Sequence, residues 1–136
     1  MTPDFHAHSF DRPRERPAPD SLSGHWSSGS DVVIALARLT LIVAIKADCD
    51  GCRTFLGAPL HDFDHVDVVF VAAHDHEEWV DCSRPVLISP EALERLDIRS
   101  APFYVLIDPV ARQVLSEGVV FGPSQVAAEI AQFISL

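Results

Sequence analysis

The chain has 136 residues, 48% of them hydrophobic, which suits one domain with a sizeable core. Its formal charge of -10 excludes the basic surface that DNA, RNA or an anionic membrane would require, so no nucleic acid is expected as a partner. Three cysteines are too few, and odd in number, for a secreted scaffold held by disulfides; they read better as redox or metal chemistry.

Residues 1–30 are rich in Pro, Ser, Gly and charges of both signs, with little periodicity. Such a composition buries too little surface to offset its ordering entropy, so a flexible N-terminal arm is expected there and a folded domain over 31–136. Residues 1–20 carry Asp4, Asp11, Glu15 and scattered prolines, with no apolar core of a secretory signal, and a cytoplasmic protein is the expectation. The longest apolar run, 32–47, is broken by Arg38 and Thr40 and falls short of the roughly 20 residues of a membrane helix, so no membrane span is expected.

Ser30 before Asp31-Val32-Val33-Ile34 reads as the N-cap of a short helix. Residues 40–46, β-branched and almost wholly apolar, suit a central strand buried on both faces. A helix over 49–57 follows, ending near Pro59. Residues 66–73 form a second buried strand, 74–82 a polar link or helical turn, and 85–89 a short strand. Ser89 as cap, Pro90 at the first helical position and Glu91 in the first turn start a helix over 90–96. Residues 103–108 and 114–120 are strands joined by a turn. An amphipathic helix over 124–134 closes the chain, with Val126, Ile130 and Phe133 on one face. The order predicts a parallel β-α-β unit followed by a hairpin and a helix: an α/β fold with one mixed sheet and helices on both faces.

The tetrad Cys49-Asp50-Gly51-Cys52 stands where the first buried strand gives way to a helix. A second notable segment is Arg99-Ser100-Ala101-Pro102, which opens the strand 103–108. Together they resemble the thioredoxin-like superfamily, closest to its TlpA-like and MauD-like branch, over residues 31–136. The resemblance implies a thioredoxin-like three-layer sandwich. It also implies a cis Ala101–Pro102 bond facing the cysteines, with the backbone of Ala101 left to pair with a substrate. Three positions depart from the family pattern: Asp48 stands in place of a Trp, Val43 in place of a buried acid, and Asp50-Gly51 in place of Gly-Pro.

Elementary chemistry gives the tetrad a role of its own. Attack on a disulfide needs a thiolate, and a thiol at a helix N-terminus is stabilised in that form by unpaired N–H groups and the positive end of the dipole. Cys49 would be the exposed nucleophile; Cys52, one turn on and on the same face, would resolve the mixed disulfide. Asp48 and Asp50 flank Cys49 and are expected to tune it, disfavouring the thiolate and making the pair reducing. The bland alternatives are an inert pair on a scaffold, or half of a zinc site that would need Cys82 and a histidine. Cys82 reads first as a small buried hydrophobe. His6 with His8, and His74 with His76, have metal-like spacing but no further ligands nearby in sequence, and the reading assigns no metal and no cofactor. Trp26 and Trp79 read as packing residues, Trp26 as an anchor for the arm, and the acidic stretch 75–81 as solvated surface.

The function expected is a reductase-like thiol-disulfide oxidoreductase that acts on protein disulfide substrates. The rival is a redox-inactive thioredoxin-like subunit that docks on a larger protein assembly through residues 1–30.

Overall fold

The structure, a computed structural model, describes residues 16–134. Seven strands form one mixed sheet in the order β2-β1-β5-β4-β3-β6-β7. The centre is β3 (Thr40–Ile45), buried along its whole length. It runs parallel to β4 (Asp67–Ala72) and antiparallel to β6 (Phe103–Asp108). Beyond β4 lies β5 (Val86–Ile88), parallel to it, and beyond β6 lies β7 (Gln113–Val119), antiparallel, with a register shift between Leu106 and Ile107. The helices are α1 (Asp50–Gly57), α2 (Glu77–Val80), α3 (Pro90–Arg95) and α4 (Pro123–Ile130).

Alternation along β3 shows why the strand reads as continuously apolar. Leu41, Val43 and Ile45 face one core, shared with Cys52, Phe55 and Leu56 of α1 and with Val126 and Ile130 of α4. Ile42 and Ala44 face a second core, shared with Ala92 and Leu96 of the α3 region. Each face of the sheet thus buries its own hydrophobic layer, as the parallel β3–β4 pairing requires. Phe55 is wedged between Phe63 and Phe70, with both ring centroids at 5.8 Å. The start of α3 follows the expected chemistry: Ser89 Oγ accepts the Ala92 N–H at 3.0 Å and donates to the Ser23 carbonyl at 2.6 Å, tying helix to sheet.

Two expectations need correction. Asp31–Ala35 is strand β2, not a helix behind Ser30. Its consecutive β-branched residues disfavour a helix and suit a pleated surface, and exposure alternates along it, with Val33 70% exposed. The boundary at residue 31 also differs from the fold. Residues 16–30, assigned to a flexible arm, include β1 (Ser21–Trp26), which pairs antiparallel with β2 and with β5. Gly29, at φ 107°, turns the chain between β1 and β2, and Trp26 N–H donates to Ser30 O at 2.8 Å to close the hairpin. Ala18 and Leu22 are buried in the second core beside α3, so this segment supplies part of the outer layer on that face. At its start Pro17 bridges to Gln113, and Arg16 pairs with Glu117 on β7. Residues 1–15, with His6 and His8, lie outside the described residues.

Candidate redox site

The site lies where the carboxyl end of β3 leads into α1. Cys49 is the N-cap of α1, in extended backbone, and its Sγ accepts the Cys52 N–H at 3.2 Å. Cys49 and Cys52 form a disulfide, with Cα atoms 5.2 Å apart. Cys49, expected to be exposed, is instead largely covered because it packs with α1 in the first core: it is 8% accessible, against 0% for Cys52. The Lys46 amide donates to Cys52 Sγ at 3.4 Å, so both sulfurs accept from backbone N–H groups. Arg84, from the segment before β5, caps the other end of the helix by donating to the Leu56 carbonyl.

The Ala101–Pro102 bond is cis. A β-carbon built on Gly51 would lie 3.4 Å from Pro102 Cγ, so this proline stands directly against the tetrad. Pro102 in turn accepts the Val120 N–H on its carbonyl at 3.1 Å, which brings the turn after β7 alongside. Phe121, in that turn, is 85% exposed. On the other side an open groove of about 940 Å³ runs past the ends of β3 and β4; Lys46, Ala47, His74, Asp75, Glu94 and Ala101 are among its lining residues.

Charges cluster around the helix start in a way the sequence only half disclosed. Asp48 has a left-handed backbone (φ 57°) and its N–H donates to Glu78 Oε2 at 2.9 Å. Arg53, one turn into α1, donates to Asp50 Oδ1 at 2.8 Å and to Glu78 Oε1 at 3.3 Å, and its guanidinium lies 3.7 Å from Asp48. The Asp48 N–H, then Arg53 and His76, hold the Glu78 carboxyl below its ordinary pKa. Glu78 first, then Asp50 and Asp48, push the Arg53 guanidinium higher still. Asp50 and Arg53 at i, i+3 were a readable pair. Glu78 was not readable: it sat in a stretch of acids that looked like plain solvated surface.

Cys82 is partly buried, and its thiol donates to the Glu78 carbonyl at 3.2 Å. Burial first, then Glu78 and Asp81, push that thiol up, which makes it a poor nucleophile. Trp79 is buried and its Nε1–H donates to the His74 carbonyl at 3.1 Å, a packing role. His76 caps α2, its Nδ1 accepting the Glu78 N–H at 3.0 Å. Among the described residues, Asp48, His76 and Glu78 bring one potential ligand atom each within 4.8 Å of one another. The Arg53 guanidinium already reaches both carboxylates of that group, so a resident cation from the protein opposes a second one.

The whole arrangement matches solved structures closely in shape and weakly in sequence. The thioredoxin domain of a thiol-disulfide oxidoreductase from Bacteroides vulgatus superposes with a TM-score of 0.69 at 16% identity, covering 91% of this chain and 99% of that one. This is the thioredoxin fold. A thiol:disulfide interchange protein of the thioredoxin family from Chlorobium tepidum matches with a TM-score of 0.63 at 18% identity, covering 89% of this chain and 97% of that one. An exposed lipoprotein thioredoxin from Streptococcus pneumoniae matches with a TM-score of 0.62 at 16% identity, covering 82% and 98%. No protein-family model and no curated protein sequence matches the chain. Within the thioredoxin fold, the CxxC pair stands at the head of α1 beside a cis-proline, with Asp48, Asp50, Glu78 and Arg53 around the helix start.

Proposed function

We propose that this chain is a thiol-disulfide oxidoreductase that reduces protein disulfides, with Cys49 as nucleophile and Cys52 as resolving thiol. The observation that carries the reading is the position of Cys49: helix N-cap, with a small accessible fraction (8%) where Cys52 has none. In the reduced protein the Cys49 thiolate attacks one sulfur of a substrate disulfide. That S–S bond breaks, the departing sulfur takes up a proton, and a mixed disulfide forms on Cys49. Cys52 then loses its proton and attacks Cys49 Sγ. The mixed disulfide breaks, the second substrate thiol leaves, and the Cys49–Cys52 disulfide remains. The substrate gains two electrons, which an external thiol reductant later restores to the pair. Ala101, bordering the groove, offers backbone for an extended substrate segment to pair with.

The reductive direction is supported by charge. Three carboxylates, Asp48, Asp50 and Glu78, stand near the helix start against the one guanidinium of Arg53. A net negative surround disfavours the thiolate, so the reduced form gains less and the disulfide is the more stable partner. The test is insulin reduction in a glutathione buffer, with two variants beside the parent. Cys52→Ser is expected to accumulate a mixed disulfide with the substrate, and Cys49→Ser to form none. A parent that neither reduces insulin nor forms a mixed disulfide in its Cys52→Ser variant overturns the reading. A cytoplasmic setting belongs to the same proposal and is checked by cell fractionation. The rival docking role through the N-terminal segment now rests on residues 1–15 alone, since 16–30 are built into the sheet.

A further inference from the structure

The connection between β4 and β5 reaches back to the redox helix through a single side chain. Glu78 sits in the short helix α2, far from the tetrad in sequence. Yet one of its carboxylate oxygens accepts the Asp48 N–H at 2.9 Å and the other accepts from Arg53 Nε at 3.3 Å. Asp48 is the residue immediately before Cys49 and holds a left-handed backbone that non-glycine residues adopt at a cost. Its amide is held by Glu78, and that bond orients the peptide leading into the N-cap. Glu78 is itself held in place: its own N–H donates to His76 Nδ1, and its carbonyl accepts from the Cys82 thiol at 3.2 Å.

The geometry points to Glu78 as a positioning residue of the redox pair, with two separable effects. It anchors the Asp48 peptide so that Cys49 keeps its place at the helix cap. It also adds one negative charge next to the Asp48 peptide that precedes Cys49, and holds Arg53 there. This inference rests on the redox reading for its consequence, though not for its measurements. The charged and titratable groups facing Glu78 are Asp48 from the β3–α1 loop, Arg53 from α1, His76 from its own turn and the Cys82 thiol after α2, with Asp50 beyond Arg53.

Two substitutions separate the effects. Glu78→Gln keeps an oxygen that can accept the Asp48 N–H but removes the charge; Arg53 stays near the helix start through Asp50, at 2.8 Å. Glu78→Ala removes both. Glu77→Gln, on the exposed neighbour, changes the net charge equally without touching these groups. The thiol titration of Cys49 in the reduced protein and the hydrogen exchange of the Asp48 amide in the oxidised protein are measured in all four chains. The expected result for Glu78→Gln is a Cys49 pKa lower by about half a pH unit, with Asp48 exchange close to that of the parent. For Glu78→Ala, Asp48 exchange is expected to quicken by about tenfold, and Cys49 titration shifts as well. Glu77→Gln is expected to leave both readouts near the parent. If Glu78→Gln and Glu77→Gln move the Cys49 titration equally, or if Glu78→Ala leaves Asp48 exchange unchanged, the positioning role is overturned. Neither readout requires turnover, so a parent that fails to reduce insulin would sink the proposed function and leave this inference to stand or fall by itself.

Discussion

Gly51 faces Pro102 across a gap that a methyl group would just fill: a β-carbon there would sit 3.4 Å from Pro102 Cγ, an ordinary contact distance. Gly51 lies in the first turn of α1, where its backbone freedom serves no left-handed conformation, since Gly29 is the glycine with a positive φ among the described residues. Alanine loses less backbone entropy in a helix, by about 0.5–1 kcal/mol. Gly51→Ala is therefore expected to raise the melting temperature by a few degrees, read by thermal unfolding of the oxidised protein. A bulkier residue, Gly51→Leu, would press on Pro102 and is expected to slow reduction of the Cys49–Cys52 disulfide by a protein thiol.

The acids flanking Cys49 are expected to act against Arg53, and the two can be set against each other. Asp48→Asn with Asp50→Asn removes two negative charges and leaves Arg53 on Glu78; the Cys49 pKa is expected to fall and the reduction potential to rise. Arg53→Met removes the local positive charge, and both quantities are expected to move the opposite way. Both shifts shrink as salt is added, because these side chains are exposed. Thiol titration and equilibration with glutathione check the pair of signs. A shift in the same direction for both variants would show that local charge does not set the poise.

Glu78 also makes stability depend on pH in a stated direction. Its carboxyl is depressed in the folded chain below the ordinary 4.5, chiefly by the Asp48 N–H. A depressed carboxyl contributes stability that is present above the unfolded value and is lost as pH falls through the folded one. Denaturant unfolding of the parent is thus expected to weaken below about pH 4.5 by slightly more than that of Glu78→Gln. The difference is small and sensitive to salt, because Glu78 is only partly buried and its partner Arg53 is exposed. Equal acid sensitivity in the two chains would count against the Asp48–Glu78 link.

Leu22 tests the corrected domain boundary. It is 1% exposed and packs in the second core with Ile42, Val71 and Ile107. Leu22→Ala is expected to cost about 2–5 kcal/mol in unfolding free energy, the range for truncating a buried leucine. A chain beginning at residue 31 is expected to lose cooperative unfolding by circular dichroism. A flexible arm would tolerate both changes without effect.

How far the sequence reached can be judged element by element. The β3 strand, the CxxC helix, the Ser89-Pro90 helix start and the hairpin of β6 with β7 were all readable. Each carries a strong local signal: a run of β-branched residues, a cap with its proline, or alternating apolar residues around a turn. Residues 21–35 misled for the opposite reason. Strand β1, Ser21–Trp26, is largely polar, with Leu22 fully buried and Trp26 partly so, and its composition looks like a loop. The Ser28-Gly29 pair before Val32-Val33-Ile34 is a hairpin signal that the reading of Ser30 as a helix cap left unused. At the site, Cys49, Cys52 and Pro102 could be placed from spacing and resemblance. Glu78 and the bond it makes to Asp48 could not, because a contact across 30 residues leaves no periodic mark.

The bridge from Pro17 to Gln113 has a consequence for how the chain assembles as it is made. Residues 16–18 bond to residues 112–114 of the β7 region, and Arg16 reaches Glu117, a separation of 101 positions. The first part of the described chain to leave the ribosome thus waits for nearly the last before its hydrogen bonds can close. Until then Ala18 and Leu22 have only part of their burial partners. Contacts of such long span slow folding, because the entropy of closing the loop is spent before any contact repays it. The Arg16–Ala18 segment can therefore close its hydrogen bonds only late in translation, whereas β1 itself can pair with β2 as soon as that strand has emerged.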